Sequence, residues 1–103
     1  MGLEGDDTLS GPYVYRIKAP DGARVAAHAH NQAMHQRVLQ GAMVTVIGMP
    51  LDPGRARRVP AGKSITTPAN APHLEWFEGA TIVEVHTRGP LTTQWLTTRS
   101  RRP

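Results

Sequence analysis

The stretch from Gly22 to Gly41 reads GARVAAHAHNQAMHQRVLQG and contains three of the five histidines in the chain. His28 and His30 are two residues apart, so both imidazoles leave the same face of an extended strand. Two imidazoles on one strand face can bind a single metal ion, whereas the same spacing on a helix points them apart. A metal site is therefore the first hypothesis for this stretch. An exposed, histidine-rich turn is the alternative.

The composition predicts a single all-β domain. The 103 residues include ten glycines and nine prolines and lack long apolar helical stripes, which is typical of short strands joined by turns. There is no cysteine, so histidine, carboxylate or water must supply any metal ligands. No apolar stretch could cross a membrane, and the acidic start, MGLEGDDTLSG, lacks the apolar core of a signal peptide. We therefore expect a cytoplasmic protein with no membrane partner.

The net charge of +4 is concentrated at the end of the chain. The last five residues, RSRRP, hold three of the twelve basic residues. The rest of the chain contains nine basic and eight acidic residues and is therefore nearly neutral. One further small cluster, formed by Arg55, Arg57 and Arg58, falls in a predicted loop. A nucleic-acid surface is normally broader and interleaved with aromatic residues. We interpret both clusters as solvated surface charge, and nucleic acid is not an expected partner.

Alternation of apolar and polar residues predicts eight or nine short strands and no helix. The predicted organisation is an irregular N-terminal arm over residues 1–11, one barrel over residues 12–98 and a basic tail over residues 99–103. The predicted strands cover residues 13–18, 23–30, 34–39, 42–49, 57–60, 64–67, 73–77, 81–87 and 91–98.

One segment resembles the first sequence motif of the cupin family. Gly22 is followed after five residues by His28-Ala29-His30, which matches the glycine and the His-x-His of the motif. After three more residues, Met34 stands at the position of the family's glutamate. Six residues later, Gly41 matches the closing glycine of the motif.

A second segment resembles the second cupin motif. Gly62 is followed after five residues by Pro68-Ala69-Asn70, which departs from the family's Pro-x-Gly in its last residue. Two residues later His73 matches the family's histidine, and after three more residues Phe77 replaces an asparagine. The strands and turns between residues 11 and 96 are also similar to those of small single-domain bacterial cupins.

The resemblance implies an all-β fold, the double-stranded β-helix or jelly-roll barrel of cupins, with a divalent metal ion inside. By position, His28, His30 and His73 match metal ligands. The family's glutamate falls on Met34, whose thioether is a poor ligand for hard or borderline divalent ions. If four residues instead of three separate His30 from this ligand position, His35 takes the position and the site has four histidines. The six-residue spacing to the next glycine favours Met34.

The expected chemistry follows from a neutral ligand set. Three imidazoles leave the ion its full charge and open positions for a small-molecule substrate. Among cupins, three-histidine iron sites are associated with dioxygenases, and related sites catalyse isomerisation, cyclisation or lyase reactions. The resemblance therefore implies a metal-dependent enzyme of oxygenase type, with isomerase, cyclase or lyase as runner-up and a non-catalytic metal- or ligand-binding module as the alternative. Iron is the expected metal of an oxygenase, and manganese, nickel, zinc and copper are the others considered.

Glu75 is the candidate catalytic base. It lies two residues after His73, so a regular strand points it into the barrel, whereas a bulge after Pro72 would turn it to solvent. A carboxyl group in an apolar barrel is unfavourable unless it is used or paired. Glu84 and His86 share one face of a later strand, where they either orient a ligand imidazole or form an exposed polar face.

Two further expectations concern the surface and the interior. Cupins commonly pair through sheet edges, which implies a homodimer. The large apolar side chains are interpreted mainly as core, with one or two of them lining the mouth of the barrel: Tyr13, Tyr15, Met43, Trp76, Phe77 and Trp95.

Overall fold

The computed structural model describes residues 2–4, 10–48 and 50–96. Within these ranges the fold is all-β, as predicted, and a single 3-10 turn, Pro53–Arg55, is the only helical segment. No helix in the described part of the chain is long and apolar enough to span a membrane. The eight strands are β1 (Gly2–Glu4), β2 (Gly11–Ala19), β3 (Arg24–His30), β4 (Met34–Ile47), β5 (Arg57–Pro60), β6 (Ser64–Thr67), β7 (His73–Gly89) and β8 (Thr93–Trp95).

The strands form one antiparallel sheet organised around β7. The first half of β7 pairs with β3 and the second half with β2, while β4 pairs with both halves. β1 extends the sheet beyond β2, and β8 extends it beyond β3. β5 and β6 pair with the second and first halves of β4. This arrangement is the jelly-roll architecture expected from the resemblance.

Two predicted strand ends are wrong, because each of the two longest strands continues through a glycine. β4 runs through Gly41 and β7 runs through Gly79, where φ is +72° and +76°. Glycine adopts this backbone conformation easily, and it bends a strand without ending it. A Cβ on Gly41 would lie 2.5 Å from the carbonyl oxygen of Ala80, so β4 and β7 can approach this closely only at glycine. The sequence pattern predicts a turn at both glycines, because turns and bulges use the same residue.

The ends of the chain also differ from the prediction. The predicted irregular arm contains β1, which pairs with β2 at Val14 and Tyr15. The predicted last strand is shortened to β8, and its residues 97–98 lie outside the described residues, as does the whole basic tail, residues 99–103. The predicted limits of the arm, barrel and tail therefore stay predictions.

The core is built mainly from residues of the two longest strands, β4 and β7, with Val59 of β5 added. Val83 and Val85 of β7 have no exposed surface, whereas His86 is exposed and Glu84 is partly exposed. Of the two roles predicted for Glu84 and His86, the structure supports the exposed polar face. The buried apolar cluster consists of Met34, Val38, Met43, Val59, Phe77, Val83 and Val85.

Candidate metal centre

Three histidines converge inside the barrel. One ring nitrogen from each of His28, His30 and His73 lies within 4.8 Å of the others, and the described residues contain no other such group of three or more histidine or acidic side chains. His28 and His30 leave one face of β3, and His73 is the direct partner of His28 on β7. The ring centroids are 4.1 Å apart for His28 and His73, and 4.8 Å apart for His28 and His30. The structure brings together the three residues that match ligand positions.

The backbone determines which nitrogen of His28 and His73 faces the centre. Nδ1–H of His28 donates to the carbonyl oxygen of Ala26 at 2.6 Å, and Nδ1–H of His73 donates to that of Ala71 at 3.0 Å. Because a carbonyl oxygen can only accept, each ring carries its proton on Nδ1 and keeps the Nε2 lone pair free. Hydrogen bonds of this kind orient most metal-binding imidazoles.

His30 is oriented by the segment that leads into β8. Its Nδ1 lies 3.0 Å from Oγ1 of Thr93 and 3.4 Å from the carbonyl oxygen of Thr92. Asn31 holds this segment in place, because its side chain donates to the carbonyl of Pro90 at 2.9 Å and accepts from the Thr92 N–H at 2.8 Å. The third imidazole therefore also turns Nδ1 away from the cluster.

The loop Pro68–Pro72 delivers the third histidine to the cluster. Asn70 stands where the cupin motif has glycine, and its φ of +63° lies in the left-handed region that glycine adopts easily. Asparagine is one of the few other residues that adopt this conformation readily. The N–H of Asn70 donates to the carbonyl of His30 at 2.7 Å, which ties the loop to β3. Asn70 therefore adopts a conformation that is also open to the glycine of the motif.

Burial keeps the three imidazoles neutral. Loss of solvation lowers the pKa of His73 to about 4 and also lowers the pKa of His28 and of His30, with the neighbouring His28 adding to the effect at His30. At neutral pH all three rings are in the form that binds a metal ion. Three neutral imidazoles that each bring one ring nitrogen to the cluster are a fitting ligand set for zinc, copper, iron or nickel.

Glu75 supplies a buried carboxyl group beside this cluster. Its side chain points into the barrel, as strand alternation predicts, and no bulge turns it to solvent. Oε1 lies 3.8 Å from Nε2 of His73 and has no hydrogen-bond partner among the described residues. Burial raises the pKa of this carboxyl to about 7. A polar atom buried without a partner is unfavourable, so the environment of Glu75 fits a site completed by a cation and its ligands.

The two candidates for the fourth ligand position, Met34 and His35, lie on opposite faces of β4. Met34 is buried in the apolar cluster and also lines the cavity, whereas His35 is exposed. Nδ1 of His35 lies 3.0 Å from Oγ1 of Thr66 on the outer face of the sheet. Because successive strand residues point to opposite faces, a register that buries Met34 must expose His35. The structure does not bring His35 to the other three histidines, and we do not retain it as a ligand.

A cavity of about 170 Å³ leads to the three histidines. Trp95 lines it and is 55% exposed, so this residue belongs to the mouth and not to the core. Gln36 also lines the cavity and was missed by the sequence analysis, although it shares the inward face of β4 with Met34. The hydroxyl of Thr67 donates to Oε1 of Gln36 at 2.8 Å, which orients the amide.

No protein-family model and no curated protein sequence matches the chain. Solved structures do match it. KdgF from a Halomonas species superimposes with a TM-score of 0.69 at 19% identity, over 85% of this chain and 74% of that one. The polyketide cyclase RemF from Streptomyces resistomycificus gives 0.69 at 20% identity, over 84% and 61%. These neighbours are cupins.

The chain has the cupin fold. A third structure, a salicylate 1,2-dioxygenase mutant from Pseudoaminobacter salicylatoxidans in complex with gentisate, matches 93% of this cupin domain with a TM-score of 0.77 at 14% identity. The chain spans only 28% of that dioxygenase. At these identities the likeness shows the fold of the cupin domain, and its activity has to be inferred from its own residues.

Proposed function

We propose that this cupin domain is a metal-dependent enzyme that acts on a small organic molecule, with His28, His30 and His73 as the metal ligands. The observation that carries the proposal is the convergence of three neutral imidazoles within 4.8 Å, with each Nδ1 turned toward a backbone or hydroxyl oxygen. Imidazoles that are packed together only for the core do not need to bring one ring nitrogen each to the same place.

A divalent ion in this site supplies Lewis acidity, and iron also supplies a position for dioxygen. Met34 in place of a carboxylate keeps the ligand set neutral, so the ion retains its full charge toward an electron-rich substrate. A neutral ligand set suits both Lewis-acid and oxygenase chemistry; we place an oxygenase-type reaction with iron first because the resemblance to three-histidine iron cupins implies it, and isomerisation, cyclisation or a lyase reaction with manganese, nickel, zinc or copper second.

Glu75 holds or accepts a proton at Oε1 in this proposal. Its pKa near 7 lets the carboxyl group exchange a proton at neutral pH, which is what general acid–base catalysis requires. Tyr15 also lines the cavity, and burial together with the neighbouring Glu75 raises the pKa of its hydroxyl. Tyr15 therefore stays protonated and offers a hydrogen bond to a ligand, while Glu75 is the group that exchanges the proton.

The solved structures with this fold are compatible with either reaction type. They include proteins named as a salicylate 1,2-dioxygenase, an oxalate oxidase and a polyketide cyclase. Their names support an enzyme acting on a small molecule and leave the oxidative and non-oxidative alternatives open. A homodimer and a cytoplasmic location stay predictions, and the first can be measured by light scattering of the purified protein.

A non-catalytic module that binds a metal or ligand is the second candidate. The observation in its favour is Met34, because this residue replaces the acidic ligand of the cupin motif with a side chain that packs in the core. In this alternative the cavity binds a ligand and Glu75 has no chemical role.

The two candidates differ in the behaviour of Glu75. Iron-loaded protein is mixed with a panel of small oxygen-containing compounds, with and without dioxygen, and product formation is followed together with oxygen uptake. The proposal expects turnover that Glu75→Gln reduces by about 100-fold or more while the metal stays bound. Glu84→Gln, on the outer face, is the matched control and should keep full activity. Turnover that Glu75→Gln leaves unchanged would contradict the role of this residue.

A further inference from the structure

We propose that the cavity selects a compact, flat ligand that carries no charged group beyond the oxygen atoms bound to the metal, and that this ligand lies against the indole of Trp95. The inference rests on the proposed metal site and specifies the class of molecule that the site takes. Three features of the cavity support it: its lack of cationic side chains, its exposed indole and its oriented amide.

The first feature is charge. No lysine or arginine is among the described residues that line the cavity. The closest elements turn their cations elsewhere: Arg16 of β2 pairs with Glu84 on the outer face at 3.1 Å, and the guanidinium of Arg24 lies over Trp76 at 5.9 Å. A ligand carboxylate away from the metal would lie beside Glu75 with no cationic side chain to pair with it, which is unfavourable. Ligands with a second, remote acidic group are therefore disfavoured.

The second feature is Trp95 at the mouth. Its backbone pairs with His28 across β3 and β8, and its ring centroid lies 5.0 Å from that of His28. The indole borders the histidine cluster and belongs to an edge strand of three residues, and 55% of it is exposed. A flat apolar group bound at the cluster would cover this exposed face, and offset stacking of such groups is favourable. The position of Trp95 therefore favours a planar ligand over a branched one.

The third feature is the amide of Gln36. Because its Oε1 accepts from Thr67, the Nε2 group is the part left to contact a ligand. The side chain lines the cavity, so its amide N–H groups can donate to an acceptor there. An oxygen atom of the ligand supplies that acceptor, which adds a preference for an oxygen-rich planar molecule.

Binding of three matched probes to the zinc-loaded full-length protein tests this inference by calorimetry. Catechol and the amide of protocatechuate carry charge only on oxygen atoms that bind the metal, whereas protocatechuate adds a remote carboxylate to the same ring. We expect the amide to bind at least about 10-fold more tightly than protocatechuate, since an unpaired buried charge is costly. Equal affinity for the acid and the amide would overturn the charge selection.

Substitution of Trp95 tests the stacking contact. Trp95→Ala should weaken binding of catechol and of the amide by about 3- to 10-fold without changing zinc affinity, and Trp76→Phe is the matched control that should change neither. Unchanged probe affinity in Trp95→Ala would contradict the contact. Zinc-loaded protein that binds none of the probes overturns this inference alone, whereas wild-type protein that binds no metal overturns the proposed function and this inference with it.

Discussion

Oε1 of Glu75 lies 3.8 Å from Nε2 of His73, and both side chains are buried in the barrel. This distance would allow an ion pair, but the pKa values of the two groups do not favour one. Burial raises the pKa of Glu75 to about 7 and lowers the pKa of His73 to about 4. Between these values the carboxyl group is protonated and the imidazole is neutral. In the metal-free protein the two groups are therefore uncharged neighbours, and both are ready to respond to a cation.

The raised pKa of Glu75 predicts a pH-dependent stability of the metal-free protein. The folded carboxyl keeps its proton up to about pH 7, whereas the unfolded one loses it near 4.5, so this group makes folding less favourable as pH rises between these values. Glu75→Gln removes the effect. We expect its free energy of unfolding, relative to wild type, to increase by about 2 kcal/mol between about pH 5 and about pH 8 in urea titrations. A difference independent of pH would contradict the burial of a titrating carboxyl group.

The lowered pKa values of the histidines predict metal binding that persists in mild acid. Protons compete with a metal only near or below the pKa of each ring, and burial moves this competition below the ordinary value of 6.5. Zinc affinity, measured by competition with a chelator, should change little as pH falls through 6.5, and protonation of His73 should weaken it only as pH approaches about 4.

The same lowering has a consequence for folding. In the metal-free protein the unfolded imidazoles take up protons below 6.5 and the folded ones do not, so stability is lost as pH falls from there to about 4. A steep loss of zinc affinity already around pH 6.5 would indicate histidines with the ordinary pKa and contradict the buried cluster.

Strand alternation explains why so much of the candidate site could be predicted. The two-residue period places His28 with His30 and turns Glu75 inward, and it needs no knowledge of the tertiary fold. The convergence of His73 with the other two required the spacing of both motifs, because this contact joins distant parts of the chain. Periodicity alone could not show that Gly41 bends a strand, since a turn would use the same residue.

Other features depend on packing that no local pattern contains. The sequence favours a core position for Trp95, because large aromatic residues are usually buried. Its place on a short edge strand exposes it instead. Strand alternation places Gln36 on the same face as Met34, but only the structure shows that this face lines the cavity. Both residues belong to the part of the site that contacts a ligand.

Met34→Glu should restore the acidic ligand of the cupin motif. A carboxylate at this buried position adds a fourth ligand, so zinc affinity should rise by about 10-fold or more, while the metal-free protein should lose about 2 kcal/mol of stability from the buried charge. Met34→Leu is the control for packing and should leave zinc affinity unchanged. If Met34→Glu folds but binds zinc no more tightly than wild type, Met34 does not occupy the ligand position.

Gly41→Ala tests the close approach of β4 and β7. The new Cβ would lie 2.5 Å from the Ala80 carbonyl oxygen in a backbone with φ +72°, so we expect a loss of about 3 kcal/mol or more in free energy of unfolding. Gly22→Ala is the matched control, because its φ is +82° but nothing lies within 4 Å of a Cβ there. It should lose about 1 kcal/mol. Equal losses in the two variants would mean that steric contact at Gly41 is unimportant.

The most direct test of the central claim is the metal content of the purified full-length protein. Wild-type protein should hold about one divalent ion per chain, measured by elemental analysis after removal of free metal. The double variant His28→Ala, His73→Ala should hold almost none, and the control His35→Ala, His86→Ala should hold as much as wild type. A folded His28→Ala, His73→Ala protein that keeps its full metal content would contradict the assignment of this site.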